Sequence, residues 1–231
     1  MQRNDLPHLF LSEKTGNIVY LNENETKHIR VLRLRNNDLI FCIDGKGYKY
    51  LVRILETGKS YTRGEIIEEH FAKSSSRMLT LGFSPPSLNR TTWLIEKSIE
   101  IGIDFFQPIF FERSLTRNFP SLEKYESKMR ECLKQCRRAY MPVILPVKKF
   151  HHFFPVGYDY ILFASIHGEK LPEIEGNNIL LLVGPEGDFT DKELQQINDF
   201  PNSFAVKLSE NRLRLETACI SLLSNVKAQF A

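Results

Sequence analysis

The sequence predicts two parts: a small N-terminal β domain over residues 1–72, and an α/β domain over residues 73–231 built on a mostly parallel sheet flanked by helices. Three observations carry that expectation. From His8 to about Glu69 the chain breaks into short runs of β-branched and aromatic residues separated by turns, a pattern of short strands in a region too small to alternate strand with helix. Beyond Lys73-Ser74-Ser75-Ser76-Arg77, a polar linker, apolar runs alternate with helical patterns, as in a parallel sheet. Ile179 to Val183 is an unbroken apolar run, which a strand buried on both faces requires.

In chain order, the first part should hold strands at Asn17–Leu21, Leu39–Ile43, Tyr48–Leu55 and Tyr61–Ile67, with one helix over Glu25–Leu32. Asp44-Gly45-Lys46-Gly47 reads as a hairpin turn between two of them, since these residues tolerate tight-turn backbone. The second part opens with a strand at Met78–Phe83 and a helix at Arg90–Ile101 closed by Gly102. A strand at Phe105–Phe111 and a long helix at Leu122–Tyr140 follow. That helix carries Tyr125, Met129, Cys132, Leu133 and Cys136 as one apolar stripe. Further strands are expected at Val143–Val147, Tyr158–Phe163, Ile179–Val183 and Phe204–Leu208, and an apolar helix closes the chain.

Composition excludes more than it identifies. With 231 residues and 42% hydrophobic content, real cores are available. The net charge of +3 is too small to mark the whole chain as a nucleic-acid binder, so any such contact must come from local clusters. Cys42, Cys132, Cys136 and Cys219 lack the spacing of a secreted disulfide framework and are expected to be reduced thiols of a cytoplasmic protein. Cys132 and Cys136 lie on the apolar stripe with no matching ligand pair, so no metal is expected. The N-terminus shows no signal-peptide pattern, and no apolar run approaches membrane-spanning length.

The chemistry concentrates in two segments near the C-terminus. In ILLLVGPEGDFTDKE, starting at Ile179, a strand runs into a Gly-Pro-Glu-Gly turn and then a helix start, where Thr190 and Glu193 form a capping box. In LSENRLRLETAC, starting at Leu208, a polar loop with Arg212, Arg214 and Glu216 precedes the final helix. A strand ending in a glycine-rich loop is where an α/β sheet usually receives its ligand. The turn is neither a Walker A loop nor a G-x-G-x-x-G fingerprint. An ordinary tight connection is its plainer reading, and a structural ion pair or helix-start electrostatics is the plainer reading of Glu216.

These segments resemble the SPOUT-class RNA methyltransferases, most closely the RsmE type, which methylate N3 of a uridine in 16S ribosomal RNA with S-adenosyl-L-methionine. The family pattern runs GPEGG or GPEGD, then LG-x-x-R-L-R-x-ET-A. Gly184-Pro185-Glu186-Gly187-Asp188, Leu213-Arg214 and Glu216-Thr217-Ala218 match it. Trp93 to Ile103 is similar to the family's EW-x-x-x-K-x-x-ELGV helix, Lys134-Gln135-Cys136 through Tyr140-Met141-Pro142 to its Q-S/C-x-R-x-x-x-P stretch, and HIRVLRLRNNDLIFCIDGKG to its N-terminal segment. The resemblance covers nearly the whole chain and implies a PUA-like RNA-binding domain, a trefoil-knotted SPOUT domain, and a homodimer acting on 16S rRNA in the small ribosomal subunit. Ser209 and Leu215 depart from it, standing where the family has glycine and threonine.

The resemblance also assigns roles. Leu182, Val183, Gly184, Pro185, Glu186, Gly187, Leu208, Ser209, Leu213 and Thr217 would hold the cofactor through backbone groups and apolar walls. Arg214 and Glu216 would be catalytic. An arginine fork suits a phosphate or a developing uracil oxyanion, and a carboxylate or water can accept the N3 proton. Lys27, Arg30, Arg33 and Arg35 would grip RNA phosphates, a solvated helix face being the plainer reading of that run. A methyltransferase acting on another RNA base and a non-catalytic ribosome-assembly protein are the competing functions.

Overall fold

Alternating burial along short strands forms the N-terminal sheet. In the computed structural model, which describes residues 9–73, 75–153 and 155–230, the chain divides into two compact units. His8, where the first segment read from the sequence begins, and Ser74, within the expected linker, lie outside the described residues. The first unit comprises Met1–Ser74 and Arg130–Met141; the second comprises Ser75–Met129 and Pro142–Ala231.

The first unit is a six-stranded mixed sheet. β1 (Leu9–Leu11) and β2 (Glu13–Thr15) were not expected from the sequence; β3 (Ile18–Leu21), β4 (Leu39–Ile43), β5 (Tyr48–Thr57) and β6 (Thr62–Phe71) were. Their order is β1-β4-β5-β6-β3-β2. β1 pairs β4 in parallel and the other neighbours are antiparallel. The two edge strands are separated only by Ser12, so the sheet curls back on itself. Phe10, Val19, Ile29, Cys42, Val52 and Ile54 fill its interior without exposure. α1 (Glu23–Val31) opens with Asn22 accepting from Glu25 N at 3.1 Å, an N-cap, and lays Ile29 on that core.

The second unit is the α/β part. β7 (Met78–Phe83), α2 (Leu88–Ile101) and β8 (Phe105–Phe110) are followed by α3 (Glu123–Cys136), which passes into the first unit at Arg130. Next come β9 (Val143–Ile144), β10 (Lys148–Lys149), β11 (Tyr160–Glu169), β12 (Asn178–Val183), α4 (Asp191–Asn198), β13 (Ser203–Val206) and α5 (Leu215–Ala228). The strand order is β10-β8-β7-β12-β11-β13, with β9 also on β8, and every registered pair is parallel. β12 lies centrally, and Ile179 through Val183 are all buried, as the apolar run requires. On one face Leu180 and Leu182 pack with Phe163, Phe189 and Ile197. α2 and α5 pack against each other, and Leu215, Leu222, Leu223 and Val226 of α5 are core residues.

Four expectations need correction in detail: the strand expected at Val143–Val147 stops at Ile144, and the one expected at Phe204–Leu208 is Ser203–Val206. α3 stops at Cys136 rather than Tyr140, because Arg137 turns to φ 56°, a left-handed conformation that ends a helix. β11 starts later and runs further than Tyr158–Phe163, reaching Glu169 through polar residues that carry no apolar pattern.

Candidate active site

The site is built where β12 ends and where β11 loses register with β13. After Val183 the chain makes the Gly184–Gly187 turn, closed by Asp188 N donating to Pro185 O at 2.9 Å. The sequence suggests that the glycines supply special backbone angles; neither Gly184 nor Gly187 has a positive φ. The left-handed residue is Asp188, at φ 64°, whose side chain accepts from Phe189 N at 2.8 Å. Aspartate tolerates this conformation better than most residues, which accounts for GPEGD as a variant of GPEGG. Gly184 instead supplies room: a Cβ there would lie 3.0 Å from the buried Phe189 ring. Thr190 and Glu193 form the expected capping box and start α4.

The second loop, residues 207–214, links β13 to α5, with Arg214 as the N-cap of α5. Arg212 Nη2 donates to Glu186 O at 3.1 Å and ties this loop to the turn. Arg90, in the first turn of α2, ties them more firmly. Its Nε and Nη2 donate to the two carboxylate oxygens of Glu216 at 3.0 and 2.5 Å, and its Nη1 donates to Glu186 Oε1 at 2.5 Å. The Arg90 hydrogen bonds hold the Glu216 carboxyl below the usual carboxylate range, and both carboxylates push the Arg90 guanidinium further up.

Together these loops enclose a cavity of about 610 Å³. Of the residues expected to hold a cofactor, Val183, Gly184, Pro185, Glu186, Leu208, Ser209 and Leu213 line it, and so does Arg214. Leu182 does not: its side chain lies in the core beneath, against Phe189. Gly187 faces Arg113, whose Nη1 donates to Gly187 O at 3.0 Å. Thr217 is exposed outside the lining, and Glu216 reaches the wall through Arg90. Both departures fit: Ser209 Oγ accepts from Asn211 N at 3.0 Å and closes the loop, while Leu215 is a buried apolar wall.

Sequence reasoning missed Arg90 and the far wall, Ala164-Ser165-Ile166. Arg90 left a signal: a cation in a helix's first turn opposes the macrodipole and needs anionic partners. The far wall left none. Pairing of β11 with β13 shifts between Ala164 and Glu169, and the intervening backbone leaves the ladder beside the cavity.

A small-residue turn, an arginine-rich loop and an off-ladder strand segment around one cavity suit a nucleotide-like ligand. The family model for an RNA methyltransferase domain matches residues 73–227, which contain every residue of this cavity. The chain belongs to the RNA methyltransferase family. A second model, the RNA methyltransferase PUA domain, matches residues 21–67 within the curled sheet. A ribosomal RNA small subunit methyltransferase E of Aquifex aeolicus is 30% identical over 228 residues, 94% of this chain and 97% of that protein. A crystal structure of a ribosomal RNA small subunit methyltransferase E from Neisseria gonorrhoeae, bound to S-adenosyl methionine, superposes with a TM-score of 0.84 at 29% identity, covering 96% of this chain and 97% of that one. A probable rRNA-methyltransferase from Porphyromonas gingivalis gives 0.85 at 26% identity, covering 96% and 98%.

The basic run in this family member's PUA-matching region is less uniform than it reads. Lys27 pairs with Glu23 at 2.7 Å, and Arg30 donates to the carbonyls of Gly58 and Lys59. The guanidinium groups of Arg33 and Arg35 are exposed and carry no hydrogen bond among the described residues. Arg33 holds φ 57° at the end of α1, where glycine is favoured and another residue costs about 1–2 kcal/mol. Among the described residues, no helix is long and apolar enough to cross a membrane.

Proposed function

We propose that this chain transfers a methyl group from S-adenosyl-L-methionine to N3 of a uridine in 16S ribosomal RNA of the small subunit. The observation that carries the reading is the 610 Å³ cavity between the Gly184–Gly187 turn and the 207–214 loop, in a chain of the RNA methyltransferase family. Its lining fits the cofactor. Val183, Ile166, Leu208 and Leu213 offer apolar walls for an adenine, the Ser165 and Gly184 backbones offer hydrogen-bonding edges, and Arg212 stands ready for a carboxylate. The cofactor supplies an electrophilic methyl group on a sulfonium sulfur.

Arg214 is the proposed catalytic cation, exposed on the cavity wall and fixed at a helix start. It steadies the negative charge that spreads onto the uracil oxygens when N3 loses its proton. Glu216, the other proposed catalytic residue, acts through Arg90 and sets where that guanidinium points. The N-terminal domain, residues 1–72, grips RNA through Arg33 and Arg35 above all. A homodimer and a cytoplasmic setting complete the proposal. The test is calorimetric titration with S-adenosylmethionine, followed by incorporation of its labelled methyl group into unmodified small subunits. Binding with transfer is the expected result; a folded protein silent to the cofactor would favour a non-catalytic assembly role.

A further inference from the structure

A second cavity, of about 280 Å³, adjoins the first. Arg90, Pro185, Glu186 and Leu215 line both, so the two spaces share a wall made by these four residues. Its remaining lining comes from the segment Ser84–Ser87, which links β7 to α2, and from Leu115 and Thr116. We infer that the smaller cavity is the pocket for the target base, an unpaired uracil ring, with Arg90 and Glu186 reading its Watson–Crick edge across the wall. This rests on the function proposed above and names the place and the recognition chemistry of its substrate.

Size separates the two ligands. The methyl donor joins an adenosine to an amino acid and needs the larger space, whereas a single ring suits the smaller one. Composition agrees: Pro85, Pro86, Leu115 and Leu215 offer apolar faces to a flat ring, and the Ser87 hydroxyl offers a polar contact at its rim. Ser87 makes no side-chain capping bond in α2, so its hydroxyl is uncommitted there. Charge argues against a phosphate. The ionic residues of this wall are Arg90 and Glu186, and they are paired with each other, while Arg90 is also bound by Glu216. A cation already neutralised in this way suits a neutral heterocycle.

The hydrogen-bond inventory then selects the base. A guanidinium has five N–H donors. Arg90 commits three to Glu216 and Glu186 and keeps two, one on Nη1 and one on Nη2. Glu186 uses Oε1 toward Arg90, and its Oε2 has no hydrogen bond among the described residues. The wall therefore presents donors beside an acceptor. Uracil answers with acceptor oxygens flanking its N3–H. Cytosine has no hydrogen on N3 and would set its amino group against Arg90, leaving the carboxylate opposite an acceptor. In the reaction, N3 gives its proton to the free oxygen of Glu186. The nitrogen electron pair takes the methyl carbon as the donor's S–CH₃ bond breaks, and that bond's electrons stay on sulfur.

The experiment fills the pocket from two sides without touching the shared wall. Thr116→Trp changes a coil residue whose hydroxyl bonds within its own turn, to Asn118, and Ser87→Trp a helix start whose side chain makes no capping bond. Each should lower single-turnover methyl transfer to small subunits by about 10²-fold or more, the cost of misplacing a reacting group. S-adenosylmethionine affinity should stay near wild type. Wild-type transfer rates in both folded variants would overturn the inference, as would parallel loss of donor affinity, which would give this space to the donor. Ligand-observed NMR on wild-type protein loaded with S-adenosylhomocysteine provides a readout that does not depend on turnover. Saturation transfer to free uridine, weak for cytidine and abolished in Thr116→Trp, is expected. Equal signals from the two nucleosides, or none from uridine, would overturn the pocket assignment. A wild type that binds uridine but methylates no subunit would leave the pocket standing and remove the proposed reaction.

Discussion

Arg90→Met keeps the side-chain stem and removes the charge that joins α2 to both loops of the donor cavity. The Glu216 carboxylate is 13% exposed and receives two hydrogen bonds from one guanidinium. Charge-assisted pairs in such surroundings are worth about 1.5–3 kcal/mol. Glu186 is 43% exposed, so its bond to Arg90 adds at most about 1 kcal/mol. The substitution should therefore cost about 2–3 kcal/mol, seen as a fall in melting temperature on the order of 4–10 °C for a unit of this size. The pH dependence carries a sign. Glu216 is held below its ordinary value of 4.5 in the folded protein, so its contribution is complete above 4.5 and is lost as pH falls through the lower folded value. The gap between wild type and variant should accordingly be widest at neutral pH and close in acid. Thermal unfolding followed by circular dichroism across that range, with cofactor titration at neutral pH, measures both. An affinity loss of about tenfold or more, equal to about 1.4 kcal/mol, is expected once the two loops are no longer tied. Unchanged melting and unchanged affinity would refute the clamp.

Other perturbations test separate parts. Gly184→Val should abolish detectable cofactor binding and cost about 1–3 kcal/mol of stability, because its Cβ meets a Phe189 ring already packed between Phe111 and Phe163; unchanged affinity in a folded variant, by calorimetry, would remove the turn from the site. Arg214→Lys retains the charge and loses the planar fork, so single-turnover transfer should fall by roughly 10²-fold with little change in cofactor affinity. Full activity would reject its catalytic role. Arg33→Ala with Arg35→Ala should reduce the salt slope of RNA binding by about 1.4 if both meet phosphates of a single strand, whereas an identical slope would make them a solvated face.

Much of this was legible because the relevant forces are local. The ILLLV run encodes a strand covered on both faces, and β12 is such a strand. The Thr190–Glu193 box encodes a helix start, and α4 begins there. Half of the cavity was legible for the same reason, since the turn and the 207–214 loop are contiguous segments with their own chemistry. What was hidden depends on distance in sequence. Arg90 reaches Glu216 across 126 positions, and nothing in either segment names the other. Ala164 to Ile166 became cavity wall because β11 loses register with β13, an event set by the neighbouring strand. Leu182 was misplaced because its apolar character suits a ligand wall and a core equally, and β-strand alternation turns it toward Phe189. The grouping of Arg130–Met141 with the N-terminal unit falls within a helix whose apolar stripe runs unbroken through the division.

The most direct test is the identity of the modified nucleoside. Unmodified small ribosomal subunits are treated with the protein and S-adenosylmethionine, the ribosomal RNA is digested to nucleosides, and the products are separated and weighed by mass spectrometry against methyluridine standards. Uridine methylated on N3 is the expected product, present with wild type and strongly reduced with Arg214→Lys. A methyl group on the ribose, on a ring carbon or on another base would contradict the proposed chemistry, and RNA unchanged in mass with cofactor bound would contradict the assignment of this substrate.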